Sequence, residues 1–317
     1  HGSGIMSGSL TGLPLFHTAF NLPLPDVLHT RTPHYYHGAA PDQTEAAFSA
    51  QCAAELEQLV LEEGPETIAA FIAEPVMGTG GLIPPPEGYW AAIQEVLDRY
   101  EILLIADEVV TGFGRIGHAF GIEHYGIRPD LITVAKGLTS GYLPLSGSIV
   151  GDRVWAVLEE GSAQYGPIGH GWTYSAHPLG AAAGLANLAI VEGEDLVGNA
   201  ERTGSYLQER MLRTFEGHPI VGEVRGVGML AALEFMADGE RRERFDAALG
   251  VGRRIAAACL DEGLIARAMP HGDILGFAPP LILTEAEVDE IVERTQRALD
   301  RVTDELVREG ALQLRAA

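Results

Sequence analysis

The 317-residue sequence carries 44 acidic against 21 basic residues, a formal net charge of −23. That balance argues against a nucleic-acid or anionic-membrane partner, because phosphate binding needs clustered Lys and Arg. The 46% hydrophobic content is that of an ordinary globular protein and no apolar run approaches a membrane span, so a soluble chain with one large core or two is expected.

Residues 13–41 hold five of the eighteen prolines and little periodicity, which predicts a long irregular surface connection. From Gln43 the pattern changes: Phe48, Cys52, Leu56, Leu59 and Val60 recur at helical spacing, and Gly64 marks a C-terminal stop. A strand is predicted over Thr67–Ala73, carrying Glu74 at its end, followed by a helix marked by Trp90, Ile93, Leu97 and Tyr100. Between them, Gly78–Gly81 lacks the Gly-Lys-Ser/Thr ending of a phosphate loop and runs into three prolines, so a tight turn is expected.

Two apolar runs follow, Ile102–Ala106 ending in Asp107 and Leu131–Ala135 ending in Lys136. Continuous apolar stretches bounded by turn signals read as buried strands of a parallel sheet. In open α/β sheets the ligand crevice lies outside the C-terminal ends of the strands, where both charges would sit. On position alone they are equally well ordinary strand-end charges. Arg115, in the Gly-rich loop after Asp107, is read as paired with a neighbouring carboxylate rather than with an anion.

Beyond Lys136 the pattern predicts a strand over Leu145–Val150, a loop rich in Gly and Tyr through Tyr165 and His170, and an Ala/Gly-rich helix over Gly180–Ile190. Asp195 is the expected cap of a long helix bearing Leu207, Met211 and Phe215 on one face. A strand pair is expected within Val221–Phe235, a helix around Ile255 and Cys259, and strands over Leu264–Met269 and Ile274–Phe277. Thr284 with Glu287 is a capping-box signal for a final helix. Cys52 and Cys259 have no metal or redox spacing, so no metal and a reducing, cytoplasmic setting are expected.

The chemistry that uses an Asp and a Lys at neighbouring strand ends is that of pyridoxal 5′-phosphate. A Lys amine holds the aldehyde as a Schiff base and a carboxylate keeps the pyridinium nitrogen protonated. The residues Ala106 to Arg115, then Pro129-Asp130 and Ala135-Lys136-Gly137, resemble the class III (omega) aminotransferases of pyridoxal-phosphate fold type I. Glu74-Pro75-Val76 with Gly78 to Gly81, and Gly171 to Pro178 around Thr173, match further motifs of that family in the same order.

The resemblance implies an α/β fold: a large domain over residues 1–200 with a mostly parallel mixed sheet, and a smaller C-terminal α/β domain over 201–317. It makes Lys136 the Schiff-base residue and proton carrier, and Asp107 the partner of the ring nitrogen. Val109 is implied to pack on the ring, Glu74 to lie near the cofactor, and Thr173 to reach the cofactor phosphate of a second subunit. Arg267, in Gly263-Leu264-Ile265-Ala266-Arg267, matches a mobile arginine that binds a substrate carboxylate.

His1-Gly2-Ser3 matches a family segment that follows a ring-stacking aromatic, which places Gly2 and Ser3 near the cofactor and the first residue inside the large domain, so that by this resemblance the large domain is expected to be N-terminally incomplete here. The implied reaction is ping-pong transamination between a primary amine or omega-amino acid and an oxo acid such as pyruvate, in a homodimer or dimer of dimers with interfacial sites. Amino-acid-specific members acting on 4-aminobutyrate, ornithine or 2-oxoglutarate share these motifs. So do decarboxylases and racemases of the same scaffold, and a cofactor-free chain with a binding or structural role stands outside the class.

Overall fold

A computed structural model describes residues 4–313. Gly2 and Ser3 lie outside the described residues. The chain separates into two compact units, one of His1–Val76 with Pro85–Leu196 and one of Met77–Pro84 with Val197–Ala317. The segment 77–84, read from sequence as a turn inside the first domain, thus belongs with the second unit. Among the described residues no helix is long and apolar enough to cross a membrane.

The first unit runs α1 (Ile5–Leu10), α2 (Tyr35–Gly38), α3 (Glu45–Glu63), β1 (Ala70–Ala73), α4 (Tyr89–Arg99), β2 (Leu103–Asp107), α5 (Gly121–Tyr125), β3 (Leu131–Val134), β4 (Gly147–Val150), α6 (Asp152–Tyr165) and α7 (Pro178–Gly193). The Thr44 hydroxyl caps α3 by accepting the Ala47 N–H at 3.2 Å, and Gly64 ends it at φ +90°. Phe48, Cys52, Leu56 and Val60 then share one buried face, packed in one core with Trp90, Ile93 and Leu97 of α4 and Leu104 of β2. Burial pushes the Cys52 thiol up to about 11.

The sheet of this unit has the order β1-β2-β3-β4, with β1, β2 and β3 parallel and β4 antiparallel to β3. This is the mostly parallel mixed sheet that the family resemblance implies. The first strand is shorter than expected, because Thr67 is drawn into a 3-10 turn and donates its hydroxyl to the Gly64 carbonyl at 2.8 Å. A second difference is larger. The stretch expected to be a Gly- and Tyr-rich loop begins with the regular helix α6, whose residues are all at least partly exposed. Its Trp155 and Val157 are exposed among the described residues.

The second unit contains α8 (Leu196–Phe215, from Val197 on), β5 (Val221–Val227), β6 (Leu230–Phe235), α9 (Val251–Asp261), β7 (Arg267–Ala268), β8 (Ile274–Phe277) and α10 (Glu285–Arg308). Its sheet is antiparallel in the order β5-β6-β8-β7. The capping box is present: Thr284 N–H donates to Glu287 Oε2 at 2.8 Å, and Thr284 Oγ1 accepts the Glu287 N–H at 3.3 Å. The predicted strand over Leu264–Met269 shrinks to β7, since the Leu264 N–H is taken by the Cys259 carbonyl at the end of α9.

One buried ion cluster organises this unit. Glu223 and Glu234 are cross-strand partners, and like charges so placed repel. Arg225 lies between them and donates from Nη1 to Glu223 at 2.5 Å and to Glu234 at 2.6 Å, with only 5% of its side chain and 2% of that of Glu234 exposed. Its Nε and Nη2 donate to the Gly81 carbonyl at 3.0 and 2.7 Å, which fastens the 77–84 turn to the sheet. Gly81 sits at φ +135°, and a Cβ there would come within 3.1 Å of the guanidinium.

Removing one member of a buried ion cluster leaves the others charged and short of a partner. Arg225→Met is therefore expected to cost about 3–5 kcal/mol of unfolding free energy, read from urea denaturation of the second unit's signal. A loss below about 1 kcal/mol would show the cluster to behave as a surface pair.

Candidate active site

Three adjacent parallel strands end at the same edge of the first sheet, and each delivers a polar residue there. Register pairs Ala73 with Ala106 and Asp107 with Thr133. Glu74 therefore follows the end of β1 beside Asp107 at the end of β2, while Lys136 lies just beyond the end of β3. The structure thus brings Glu74, Asp107 and Lys136 to one sheet edge, with Val109, 8% exposed, in the loop that leaves β2.

Asp107 is half-buried and its orientation is set by two donors to one oxygen. Oδ1 accepts the Val109 N–H at 3.0 Å and the Thr133 hydroxyl at 3.0 Å. Oδ2 accepts no hydrogen bond among the described residues, so one carboxylate oxygen stays available to a further donor. Glu108, fully buried, accepts the Thr111 hydroxyl, the Gly121 N–H at 2.9 Å and the Ile122 N–H at 2.7 Å. Its own N–H donates to the Thr133 carbonyl at 3.0 Å. Burial holds the Glu108 carboxyl above the usual carboxylate range against the pull of those donors, and nearby Asp107 adds to the rise.

Lys136 is exposed and opens a single 3-10 turn, Lys136–Leu138. Its φ is +41°, a left-handed backbone that a non-glycine residue adopts at a cost of about 1–3 kcal/mol. The Thr139 N–H closes the turn on the Lys136 carbonyl at 3.2 Å, and Asn187 of α7 donates to the carbonyls of Gly137 and Leu138. The sequence contains no other lysine. Every other fixed cation is an Arg, which neither titrates near neutrality nor attacks a carbonyl. In such a chain a lysine at a strand end is poorly explained as one more surface charge.

Thr133, Glu108 and Asn187 were not singled out from the sequence. Each had a faint signal, a lone polar residue in an apolar run or, for Glu108, its place beside Asp107. Arg115 is partly buried, and loss of water pulls its guanidinium down to about 10. Thr173 is exposed in the stretch before α7, and Arg267 is exposed on β7 of the second unit, paired in register with Gly276.

An amine and a half-free carboxylate at adjacent strand ends suit a group that carries an electrophilic aldehyde and a basic ring nitrogen. Comparison with known proteins agrees. The model of the family "Aminotransferase class-III" matches residues 1–299. The chain belongs to the class III aminotransferases, a pyridoxal-phosphate-dependent family.

Over 315 residues it is 66% identical to a diaminobutyrate–2-oxoglutarate transaminase of Halomonas elongata, covering 99% of this chain and 67% of that protein. A probable mitochondrial gamma-aminobutyrate transaminase 3 of Oryza sativa subsp. indica is 45% identical, with 98% of this chain and 60% of that protein covered. Among solved structures, an omega transaminase of Pseudomonas jessenii in complex with PMP superposes with a TM-score of 0.94 at 46% identity, covering 97% of this chain and 67% of that one. The chain thus spans about two thirds of the length of these bacterial proteins.

Thr133→Val keeps the shape of the side chain and removes one donor to Asp107. Pyridoxal phosphate retention is expected to weaken roughly tenfold, the worth of one hydrogen bond to a charged group, in an absorbance titration. Unchanged affinity would mean that the Val109 N–H alone orients the carboxylate.

Proposed function

We propose that this chain catalyses transamination between a primary amine or omega-amino acid and an oxo acid, with pyridoxal 5′-phosphate held at the β1-β2-β3 edge. The observation that carries the reading is the placement of the chain's single lysine beside a strand that ends in Asp107, whose second oxygen is free to accept. When bound, the cofactor supplies an electron sink for the carbon that loses its proton. Lys136 would hold the cofactor aldehyde through its amine, and its Nζ would supply the base that moves a proton. Asp107 holds the ring nitrogen protonated through Oδ2, because a carboxylate stabilises a cation where a neutral amide does not.

Val109 packs on the ring, and Glu74 lies at the same edge without an assigned step. Gly2 and Ser3 belong to this cofactor site by family resemblance alone. Arg267 binds the oxo acid carboxylate through two parallel hydrogen bonds. Thr173 serves the phosphate of a second copy, in a homodimer or dimer of dimers. The exposed apolar residues Trp155, Val157, Tyr165, Trp172, Tyr174 and Leu185 of the first unit support a second copy as their cover. A cytoplasmic setting is supported by the free thiols of Cys52 and Cys259.

A second reading, an amino-acid donor with 2-oxoglutarate as acceptor, is favoured by the 66% identity to the Halomonas transaminase. Arg267 then has a carboxylate to hold in both half-reactions.

Lys136→Ala is expected to abolish the pyridoxal label fixed by borohydride and to lower turnover roughly a thousandfold, with the far-ultraviolet circular dichroism unchanged. Wild-type turnover in that variant would end the proposal. Arg267→Ala is expected to slow the pyruvate half-reaction roughly a hundredfold and to spare a donor amine that lacks a carboxylate, in single-turnover measurements of each half. Equal losses in both halves with such an amine would remove Arg267 from carboxylate binding. Loss in both halves only with a carboxylate-bearing amine would select the second reading.

A further inference from the structure

Asn187 has no role in the reading above, yet its side chain meets the backbone that presents Lys136. Its Nδ2 donates to the Gly137 carbonyl at 2.8 Å and to the Leu138 carbonyl at 3.2 Å, while its Oδ1 accepts the Ser140 hydroxyl at 2.6 Å. All three partners lie within four residues of Lys136. The amide therefore uses both donors on the turn itself and has its own orientation fixed by Ser140.

The helix that carries Asn187 is shaped for this approach. Gly180, Gly184, Asn187 and Val191 recur at helical spacing and form one stripe of α7, with Gly180, Gly184 and Val191 buried. A Cβ at Gly184 would come within 3.3 Å of Leu145 and 3.8 Å of the Leu138 carbonyl, so a small residue there suits the approach of the helix to the turn. Asn187 is half-buried and is the one polar side chain between Pro178 and Val191. Packing alone would be served as well by Leu at that place.

The left-handed φ of Lys136 supplies the reason for a polar residue. A strained residue persists only where its surroundings over-determine it. The turn is closed from within by Leu138 N–H on the Ala135 carbonyl and Thr139 N–H on the Lys136 carbonyl, and the two bonds from Asn187 are side-chain donors that hold it from a separate element.

We propose that Asn187 is a positioning residue for Lys136. Its carboxamide clamps the 136–138 turn in the conformation that directs the amine, and acts on the reaction through that backbone without touching substrate. The inference rests on the transaminase reading and is tested so that the two fail separately.

Asn187→Asp keeps the shape and the bond from Ser140 but replaces both donors by acceptors that face carbonyls. Asn187→Leu keeps the approximate volume without either, and Asn187→Gln restores the donors on a longer arm. The full chain of each variant, freed of cofactor, is mixed with pyridoxal phosphate and quenched with borohydride at intervals. Since the sequence contains no other lysine, every lysine adduct in the peptide map reports Lys136. Label fixation is expected to slow about ten- to a hundredfold in the Asp and Leu variants, with partial recovery in Gln. In steady state kcat is expected to fall by a similar factor while KM for the oxo acid moves less than about threefold.

Leu145→Ala, which loosens the packing of α7 but leaves the clamp's donors in place, is the structural control. It is expected to lower the melting temperature while Lys136 is labelled at nearly the wild-type rate. Wild-type fixation rates in the Asp and Leu variants overturn the proposal, as does Leu145→Ala slowing fixation as much as they do. If the Asp variant does not fold, the contrast between Leu and Gln carries the same decision. Failure of the wild-type chain itself to take label on Lys136 sinks the transaminase reading, and the positioning role with it.

Discussion

Parallel pairing of β1, β2 and β3 is the constraint on which the candidate site depends. In a parallel ladder the strands run the same way, so their C-terminal residues emerge at one edge and their side-chain spacing is set by register. Ala73 opposite Ala106 and Asp107 opposite Thr133 leave Glu74, Asp107 and Lys136 neighbours at that edge, although 62 residues separate the first from the last in sequence. A one-residue slip would turn every side chain to the opposite face. Thr133 opposes such a slip locally, since its hydroxyl reaches Asp107 only in the observed pairing.

Around that edge the fold uses hydrogen bonds to hold what packing would leave loose. Glu108 gathers Thr111 and two N–H groups of the chain entering α5, so the loop that carries Val109 is anchored at both ends. A buried carboxylate is a costly anchor, since water is lost from a charge, and it is retained here by donors on several sides. On the other flank, the left-handed turn of Lys136 is closed by Thr139 and held by α7. The two candidate side chains thus differ in support: Asp107 is fixed by bonds to its own carboxylate, Lys136 through the backbone beneath it.

The second unit solves a different electrostatic problem. Glu223 and Glu234 face each other across β5 and β6, and the guanidinium of Arg225 satisfies both carboxylates while still reaching the Gly81 carbonyl. A planar fork with five donors can serve three acceptors in this way, whereas an ammonium on a flexible stem would serve them less rigidly. Arg is also the cation of nearly every other ion pair described in the chain, His218 with Asp300 apart.

Periodicity in the sequence was enough for α3, α4, α9 and α10, because each buries one face at a helical repeat within a single unit, and α10 carries its own cap. Asp107 and Lys136 were legible for a local reason, since each ends an apolar run whose direction in a parallel sheet fixes where its end must point. α6 was missed: among the described residues its Trp155 and Val157 are exposed and its Val154 and Leu158 only half-buried, so it carries no fully buried face. Also missed were Thr133, Asn187 and the place of residues 77–84, whose partners are 26, 50 and 144 residues away. The sequence by itself determined which residue types end which strands, a matter of nearest neighbours and burial. Only the tertiary structure decided which oxygen of Asp107 is left free, what holds the Lys136 turn and where Gly81 is fastened, because those follow from hydrogen bonds between segments that meet only when the chain is folded.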